Sequence, residues 1–231
     1  MTYSPKNIDY TNKTVTWTSS DDTKASVSNG KVIAISAGTA TITAQAGNQT
    51  ATCIVTVENN PFYDAGVVIN GVKWATRNVD AFGTFAATPE SAGMFYQWNR
   101  KIAWSATGSV TGWDNSPPTG DTWEKSNDPS PKGWRVPTRE EQQKLFDAEK
   151  VVNEWTTQNG VTGSRLFLPA AGYRNGSDGA LYYAGALGSY WSSAARESYE
   201  SYAYGLGFNA SYADWHSSSR SYGFSIRAVA E

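Results

Sequence analysis

The sequence predicts a mainly β protein with a C-terminal part in which strands are combined with a single helix. Two observations predict this fold class. The chain of 231 residues contains 10 Trp, 13 Tyr and 21 Gly, and aromatic residues with glycine are typical of strands joined by tight turns. Runs of alternating apolar and polar residues recur along the chain, whereas one place carries a clear helix start signal.

The N-terminal part consists of short runs of Thr, Val, Ile and Ala. In TVTWTSS, at 14–20, Val15 and Trp17 alternate with polar residues, which predicts a half-buried strand. Further strands are predicted at 32–35, 37–46 and 50–57, with turn signals at 29–31 and at Gly47-Asn48. Cys53 has the neighbours of a core residue, so we expect its side chain to be buried.

A second part with a different composition follows ENNPFYDAG at 58–66, whose Asn-Asn-Pro indicates a joint between domains. We therefore predict a domain at 1–58, a linker at 59–66 and a larger domain at 67–231. Thr138 and Glu141 form a capping box that predicts a helix to about Lys150. Strands are predicted at 67–75, 93–98, 165–171, 180–185, 190–194, 202–208 and 223–229, and a long loop region at 100–133.

Charge and reactive residues exclude several classes of function. The formal net charge is −2 and charged residues make up 17%, so nothing directs the chain to nucleic acid or an anionic membrane. The single cysteine excludes an intramolecular disulfide and a cysteine zinc site. With His216 as the one histidine, no catalytic triad or histidine metal site is expected. We predict no catalytic residue, no metal and no cofactor.

The sequence also bears on location. No apolar run approaches the roughly 18 residues that span a bilayer. The opening MTYSPKNIDY lacks the basic and apolar regions of a signal peptide. We therefore expect either that a leader has been removed or that the protein reaches the outside by another route, such as on a virion.

The stretch NKTVTWTSSDDTKASVSNGKVIAISAGTATITA, at 12–44, resembles the group 2 bacterial Ig-like domain, most specifically in GTATITA. The resemblance implies an Ig-like β-sandwich that acts as a spacer or adhesion module. Its first strand and most of its second are missing upstream of Tyr3, so the predicted sandwich is N-terminally incomplete. A truncated chain, a strand supplied in trans and a reduced sandwich remain alternatives, because an unpaired edge is a liability.

Six motifs of the second part resemble the C-type-lectin-like domain of the Fibrobacter major paralogous type. They are NGVKWATRNV, GMFYQWNR, DPSPKGWRVPTREEQQKL, LPAAGYRNGSDG, YWSS and GFSIRAV, in that order over 67–231. The resemblance implies a C-type-lectin-like fold. With this fold and its C-terminal pattern, the chain is also similar to the variable proteins of diversity-generating retroelements, found in phages and gut bacteria. In those proteins, mutagenesis at adenines varies the ligand-facing surface near the C-terminus.

The C-terminal segment has the composition of a binding surface. From Ser189 to Tyr222, 10 Ser and 6 Tyr account for 16 of 34 residues, and Ser-Tyr pairs recur. An AAC codon altered at its adenines can encode Ser, Tyr, Asp, His, Gly, Ala or Asn, but not Trp. Tyrosine gives large contact area and serine adaptable hydrogen bonds, as in antibody paratopes. The plain alternative is that these residues only cover exposed strands and loops.

We predict ligand contacts from this segment, with five tyrosines as anchors. The predicted residues are Ser189, Tyr190, Ser198, Tyr199, Ser201, Tyr202, Asn209, Ser211, Tyr212, His216, Ser217, Ser218, Ser219, Ser221 and Tyr222. The expected function is non-catalytic binding of a protein or glycan on a target cell, at a virion or bacterial surface. Ligand identity and oligomeric state are left open.

Other readings stay open at this point. Trp104, Trp113 and Trp123 predict a sugar-stacking platform if the chain is a carbohydrate-binding adhesin, or cover for the core if it is not. Trp74, Trp98, Trp134 and Trp191 are expected in the core. Trp113-Asp114-Asn115 is a scrambled form of a calcium-lectin motif, and Asp114, Asp121 and Glu124 are weak candidates for glycoside hydrolysis. A structural pilus or surface-layer subunit is a further alternative.

Overall fold

The computed structural model describes residues 14–149, 160–162 and 166–231. The chain divides into two compact units, Met1–Asn60 and Pro61–Glu231. Both consist mainly of β-strands, and the second contains the helix. No helix within the described residues has the length and apolar character needed to cross a membrane.

The described residues of the first unit form five strands, at the places that the alternating pattern predicts or next to them. They are β1 (Thr16–Ser19), β2 (Ala25–Ser28), β3 (Lys31–Ala34), β4 (Gly38–Ala46) and β5 (Gln49–Val57). Strands β1, β4 and β5 form one antiparallel sheet, and β2 and β3 form a hairpin. Its turn is Asn29-Gly30, with φ of 49° and 76°, as a two-residue hairpin turn of type I′ requires.

Cys53 does not lie in the core of the first unit, and the expectation that it is buried is wrong. Its side chain is exposed, although it pairs with Ile42 of β4, which is buried. Strand β5 is the outer strand of its sheet as described, so its side chains have a neighbouring strand on one side. The buried apolar residues of this unit are Ala25, Ala40 and Ile42.

The second unit is built from short strands around the helix α1 (Arg139–Glu149). Its strands are β6 (Val67–Ile69), β7 (Val72–Trp74), β8 (Tyr96–Gln97), β9 (Trp134–Arg135), β10 (Gly160–Thr162), β11 (Phe167–Pro169), β12 (Tyr173–Arg174), β13 (Leu181–Tyr182), β14 (Gly188–Ala195), β15 (Tyr202–Phe208), β16 (Ala213–Ser219), β17 (Gly223–Phe224) and β18 (Val229–Ala230). They form sheets in the orders β6-β7-β18-β9, β13-β12-β17-β8, β14-β15-β16 and β10-β11.

The start of helix α1 confirms the capping box. The Glu141 backbone N–H donates to Thr138 Oγ1 at 3.2 Å, and the Thr138 N–H donates to the Glu141 carboxylate at 2.8 Å. Two N–H groups that a helix start would leave unpaired are thereby satisfied. Arg135 holds the same carboxylate through both terminal nitrogens, at 2.6 and 2.7 Å.

The strand prediction at 202–208 matches β15 along its whole length, while β16 was not predicted as a strand. Strand β16 has the sequence ADWHSSS, in which Ser and Asp are poor strand formers. It pairs with β15 over seven residues. Tertiary pairing therefore determines its conformation, and local propensity does not.

Strands β14, β15 and β16 form an antiparallel sheet with two different faces. Strand register places Tyr190, Leu206 and Trp215 side by side on one face. Tyr190 and Leu206 belong to a core cluster that includes Leu145 of helix α1. The other face carries Ser189, Gly207 and Asp214 in one row across the sheet.

The tryptophans expected in the core are buried there. Trp98, Trp134 and Trp191 belong to one cluster, and Trp74 belongs to the cluster of Tyr190 and Leu206. Trp191 stacks on Phe224 with ring centroids 4.1 Å apart. Strand β17, which carries Phe224, therefore packs against the face of the β14–β16 sheet that bears Ser189.

Candidate functional site

The predicted binding segment borders a hollow of about 690 Å³ over the Ser189 face of the β14–β16 sheet. Ser189 and Gly207, both buried, form its base. Its sides are formed by Tyr173, Leu187, Tyr212, Ala213, Asp214, Trp215, His216, Ser218, Tyr222 and Phe224. This size is in the range of pockets that bind small ligands or a side chain of a larger one.

The hollow brings together five of the predicted contact residues. Ser189, Tyr212, His216, Ser218 and Tyr222 border it. Ser189 lies on β14, His216 and Ser218 lie on β16, and Tyr212 and Tyr222 lie in the turns on either side of β16; β15 pairs with both strands and so brings them together. These five form the part of the predicted set with a common site.

Asp214, His216 and Ser218 reach the hollow because they are two residues apart on β16. Successive side chains on a strand point to opposite faces, so these three share a face. Trp215 lies between them, and its indole N–H donates to the side chain of Gln143 of helix α1. The side chains of strand β16 thus alternate between the hollow and helix α1.

At the base of the hollow, the His216 ring lies close to the backbone of Gly207. A Cβ atom on Gly207 would lie 2.8 Å from His216 Nδ1 and 2.9 Å from Cε1. The absence of a side chain at Gly207 therefore gives the imidazole its place against β15. The His216 ring centroid lies 5.5 Å from that of Phe224.

Several residues of the hollow lie outside the predicted set, and Tyr173 connects it to a larger tyrosine cluster. The Tyr173 ring centroid lies 5.6 Å from Tyr222, 6.0 Å from Tyr182 and 5.9 Å from Tyr183. Tyr182 and Tyr183 are exposed. We call Tyr173, Tyr182, Tyr183 and Tyr222 the tyrosine cluster.

The missed residues differ in whether a sequence signal could have found them. Tyr173 and Phe224 were missed because they lie outside the Ser/Tyr-rich run, and Leu187 because it is apolar. Asp214 could have been found from its spacing to His216, since residues two apart on a strand share a face.

Burial determines the charge state of the histidine in the hollow. Desolvation lowers the pKa of His216 below its usual value of 6.5, and the nearby Asp214 carboxylate opposes this effect. The imidazole is therefore neutral at pH 7. Asp214 forms no ion pair with a Lys or Arg in the described part of the chain.

Tyr190 is not a ligand contact, and this part of the site prediction is wrong. The side chain is 2% exposed and belongs to the core. Its hydroxyl donates to the Pro169 carbonyl at 2.8 Å and accepts from Asn78 Nδ2 at 3.3 Å. Desolvation raises the pKa of Tyr190 to about 12. It lies on the helix-facing side because it directly follows Ser189 on β14.

Ser221 is also buried, and we remove it from the contact set. Its hydroxyl lies 2.9 Å from that of Ser219, and a Cβ atom on Gly176 would lie 2.4 Å from it. It therefore packs against the 175–179 turn. Ser189 is equally buried, but it borders the hollow and stays in the set.

Two predicted anchors do not border the hollow. Tyr199 and Tyr202 have ring centroids 6.0 Å apart, and the Arg196 guanidinium lies 4.2 Å from the Tyr199 ring. Tyr199 lies in the connection between β14 and β15, and Tyr202 begins β15 on the face of Leu206, which is opposite to the hollow. Ser198 is exposed and Ser201 half-buried in the same connection.

A polar cleft of about 770 Å³ lies beside the connection between β14 and β15. Its charged lining consists of Asp121, Glu140, Arg196, Glu197, Glu200 and Arg220. Asp121, one of the weak candidates for glycoside hydrolysis, borders this cleft and not the hollow. The guanidinium of Arg220 donates to the carbonyls of Pro118, Gly120 and Tyr202, so it joins the long loop region to β15.

Two further predicted contacts, Asn209 and Ser217, have side-chain partners within the protein, while Ser211 is exposed. Asn209 Oδ1 accepts from the backbone N–H groups of Ser211 and Tyr212, at 2.8 and 3.1 Å, and so shapes the turn between β15 and β16. Ser217 accepts a hydrogen bond from Arg196 at 2.7 Å. Asn209 therefore holds the backbone of this turn. Ser217 lies on the sheet face opposite the hollow.

The three loop tryptophans do not form a sugar-stacking platform. Trp104 and Trp123 are buried. Trp104 packs on Trp113 with ring centroids 4.8 Å apart, while Trp123 packs on Trp98 at 5.9 Å in another cluster. The Trp113 indole donates to the Gly176 carbonyl. These rings cover the core, which was the other reading.

The acidic candidates in the loops have structural partners or lie apart. Asp114 forms an ion pair with Arg100 at 2.6 Å, and hydrogen bonds from Ser116 are the main reason that its pKa falls to about 2. Glu124 is exposed. Across residues 14–149, 160–162 and 166–231, no group of three or more His, Cys, Asp or Glu side chains could hold a metal ion.

Two family models match parts of the chain. Residues 3–57 match the bacterial Ig-like domain (group 2), which confirms that resemblance. Residues 149–229 match a domain of unknown function (DUF8237), a range that includes every residue that lines the hollow. No C-type-lectin-like or retroelement family is matched, so that resemblance stays a prediction. No curated protein and no solved structure matches.

Proposed function

We propose that this chain is a non-catalytic binding protein that receives part of its ligand in the hollow over β14–β16. The observation that carries the proposal is the meeting of Ser189, Tyr212, His216, Ser218 and Tyr222 at one depression. Tyrosine anchors beside small polar residues are the composition of paratopes. A rigid sheet beneath them lets contact residues vary while the fold is kept.

The lectin-like and retroelement readings belong to the same proposal. The ligand-facing residues from 189–222 are Ser, Tyr, Asp and His, which altered AAC codons can encode. Trp215, which they cannot encode, donates its indole N–H to helix α1. A diversified surface is expected to separate varied and invariant residues in this way, and the alternation of β16 provides that separation.

A hydrolase is the less favoured reading of the same residues. Asp214, His216 and Ser218 share a face, as the members of a catalytic triad would. Same-face neighbours on a strand are about 7 Å apart, however, and triad members must be within hydrogen-bond distance. No hydrogen bond among the described residues joins these three. We propose binding without catalysis for this reason.

The location proposed is the outer surface of a virion or a bacterial cell. Bacterial Ig-like domains are often extracellular, and the match at 3–57 supports this location. In the proposal the first unit spaces the ligand-binding unit from its anchor. The target is a protein or a glycan on another cell.

Sequencing of the 3′ end of the gene from its native population tests the diversified reading. We expect substitutions at codons for Ser189, Tyr212, Asp214, His216, Ser218 and Tyr222, with Tyr190 and Trp215 unchanged. Uniform sequence at the hollow positions would contradict the diversified reading.

Binding of the purified chain to panels of bacterial cells and to a glycan array tests the site itself. Tyr212→Ala should abolish the strongest signal without lowering the melting temperature, because Tyr212 is exposed. Tyr222→Ala should abolish it as well, with some loss of melting temperature, because this half-buried ring packs against the core. Tyr199→Ala and Tyr202→Ala are the matched controls, since these exposed tyrosines do not border the hollow. If the controls lose the signal and the hollow variants keep it, the hollow is not the site.

A further inference from the structure

The chemistry of the hollow narrows the class of ligand, provided that the hollow is the binding site proposed above. Its formally charged lining residue is Asp214, and neither Lys nor Arg lines it. Asp214 is exposed and carries no ion pair with a basic side chain of the described residues. The Trp215 backbone N–H donates to this carboxylate at 2.7 Å but does not neutralise its charge. An anionic ligand would therefore meet a carboxylate with no compensating positive charge.

Two aromatic side chains of the hollow, Tyr173 and Tyr222, hold no cation of the described chain. The face of an aromatic ring carries negative charge density and attracts a cation within about 6 Å of the centroid. The described chain uses this interaction at Phe85, Trp98, Trp134, Tyr199, Tyr204 and Trp215. None of these is in the tyrosine cluster, so Tyr173 and Tyr222 carry no cation from the described part of the protein.

The histidine completes a lining without positive charge. His216 lies on the same face as Asp214, and its ring packs on Phe224 at 5.5 Å. Because burial favours the neutral imidazole, a ligand cation meets no like charge at pH 7. Tyr173, Tyr222 and Phe224, with ring centroids 5.6 to 6.1 Å apart, form the aromatic side.

We infer that the hollow receives a cationic group of the ligand, of the ammonium or alkylammonium type, between the rings of Tyr173 and Tyr222 and the carboxylate of Asp214. The charge complementarity is that of aromatic cages, which pair π faces with one or two acids. Serine hydroxyls at 189 and 218 are the available partners for polar atoms next to the cation.

The test compares choline with its neutral carbon isostere, 3,3-dimethylbutan-1-ol, on the full chain. Because His216 is the one histidine, its imidazole Hε1 proton gives a single NMR signal at the site. We expect saturable shifts of this signal with choline, at a Kd of about 1–10 mM, and at least about tenfold weaker binding of the isostere. Equal binding of both, or no saturable shift with choline up to a concentration about tenfold above that range, would overturn the inference.

Variants separate charge from ring contributions. Asp214→Asn should weaken choline binding about fivefold, with Glu200→Gln, which does not border the hollow, as the control. Tyr222→Leu should weaken choline binding by a similar factor. Tyr222→Phe should keep the wild-type affinity, because the ring face remains. Unchanged choline affinity in both Asp214→Asn and Tyr222→Leu would also overturn it.

The two proposals fail in distinguishable ways. If Tyr222→Ala abolishes binding to the natural target while choline and its isostere bind alike, the hollow is the site and its ligand is not cationic. If choline binds as expected but the hollow variants leave target binding intact, the cation site is real and the proposed receptor site lies elsewhere.

Discussion

At the scale of single residues, adjacent tyrosine and serine side chains have opposite roles. Ser189 borders the hollow, whereas Tyr190, the next residue, lies in the core with its hydroxyl on the Pro169 carbonyl. Composition alone cannot separate them, because both belong to the same Ser-Tyr pair. The strand direction separates them, since neighbours on a strand face opposite sides.

Replacing Tyr190 by phenylalanine should destabilise the fold and leave binding in the hollow unchanged. The change removes a buried hydroxyl with two partners, and we expect the free energy of unfolding to fall by about 1–2 kcal/mol. Urea denaturation measures it, with Tyr222→Phe as the control, for which we expect a change below about 0.5 kcal/mol. Equal losses in both would contradict the assignment of Tyr190 to the core.

The same variant has a pH signature. The pKa of Tyr190 rises from 10.0 to about 12 in the folded chain. The contribution of the neutral Tyr190 hydroxyl to the free energy of unfolding is therefore fully present below pH 10 and is lost as the pH rises through about 12. The Tyr190→Phe variant has no group to ionise at this position. The stability difference between the wild type and the variant should therefore shrink over this interval, and urea denaturation at a series of pH values measures it.

Choline binding should weaken as the pH falls through the pKa of His216, which lies below 6.5. Protonation places a positive charge in the hollow, and by linkage choline should lower the pKa of His216 further. The other titratable groups that border the hollow are Asp214 on β16, Tyr173 on β12, and Tyr212 and Tyr222 beside β16. A pH titration of the His216 NMR signal with and without choline measures this, and an upward shift with choline would contradict it.

At the scale of elements, the β14–β16 sheet supports the fold on one side and forms the hollow on the other. Two glycines of β15 show the difference in tolerance. A Cβ atom on Gly205 would lie 2.8 Å from the Tyr190 carbonyl oxygen, which is backbone. A Cβ atom on Gly207 would meet the His216 ring, which is a side chain at the hollow and can turn.

Alanine at these two glycines should therefore have different effects. Gly205→Ala should lower the free energy of unfolding by about 1–3 kcal/mol, because the backbone must move. Gly207→Ala should cost less stability and should weaken choline binding, since the imidazole is displaced into the hollow. Thermal unfolding and the His216 NMR titration measure both effects. Loss of choline binding in Gly205→Ala, with Gly207→Ala unaffected, would contradict this account.

At the scale of the whole molecule, regular patterns were predictable and long-range contacts were not. The period-two runs predicted β4 and β5, and the Thr138 capping box predicted the start of α1. Strand β16 escaped prediction because its sequence is a poor strand former and its pairing partner β15 imposes the conformation. Tyr173 joins the hollow through tertiary packing, which no local pattern of its sequence reveals.

Binding should be confined to the second compact unit. Every residue that borders the hollow lies within Pro61–Glu231. We expect a fragment of residues 61–231 to bind choline and the natural target with the Kd of the full chain, as measured by calorimetry. A loss of affinity above about tenfold, or about 1.4 kcal/mol, in a folded fragment would show that the first unit contributes to the site.

The alternation along β16 has a consequence for how the gene can change. Exchanges at 214, 216 and 218 alter the ligand surface and leave the framework position of Trp215 intact. A one-codon insertion in the turn at 209–212 would shift the register of every later residue on the strand. The Trp215 indole would then turn from helix α1 to the Ser189 face of the sheet, and the Asp214 carboxylate would face helix α1. Natural variants should therefore differ freely in amino acid at these positions and very rarely in the length of this turn.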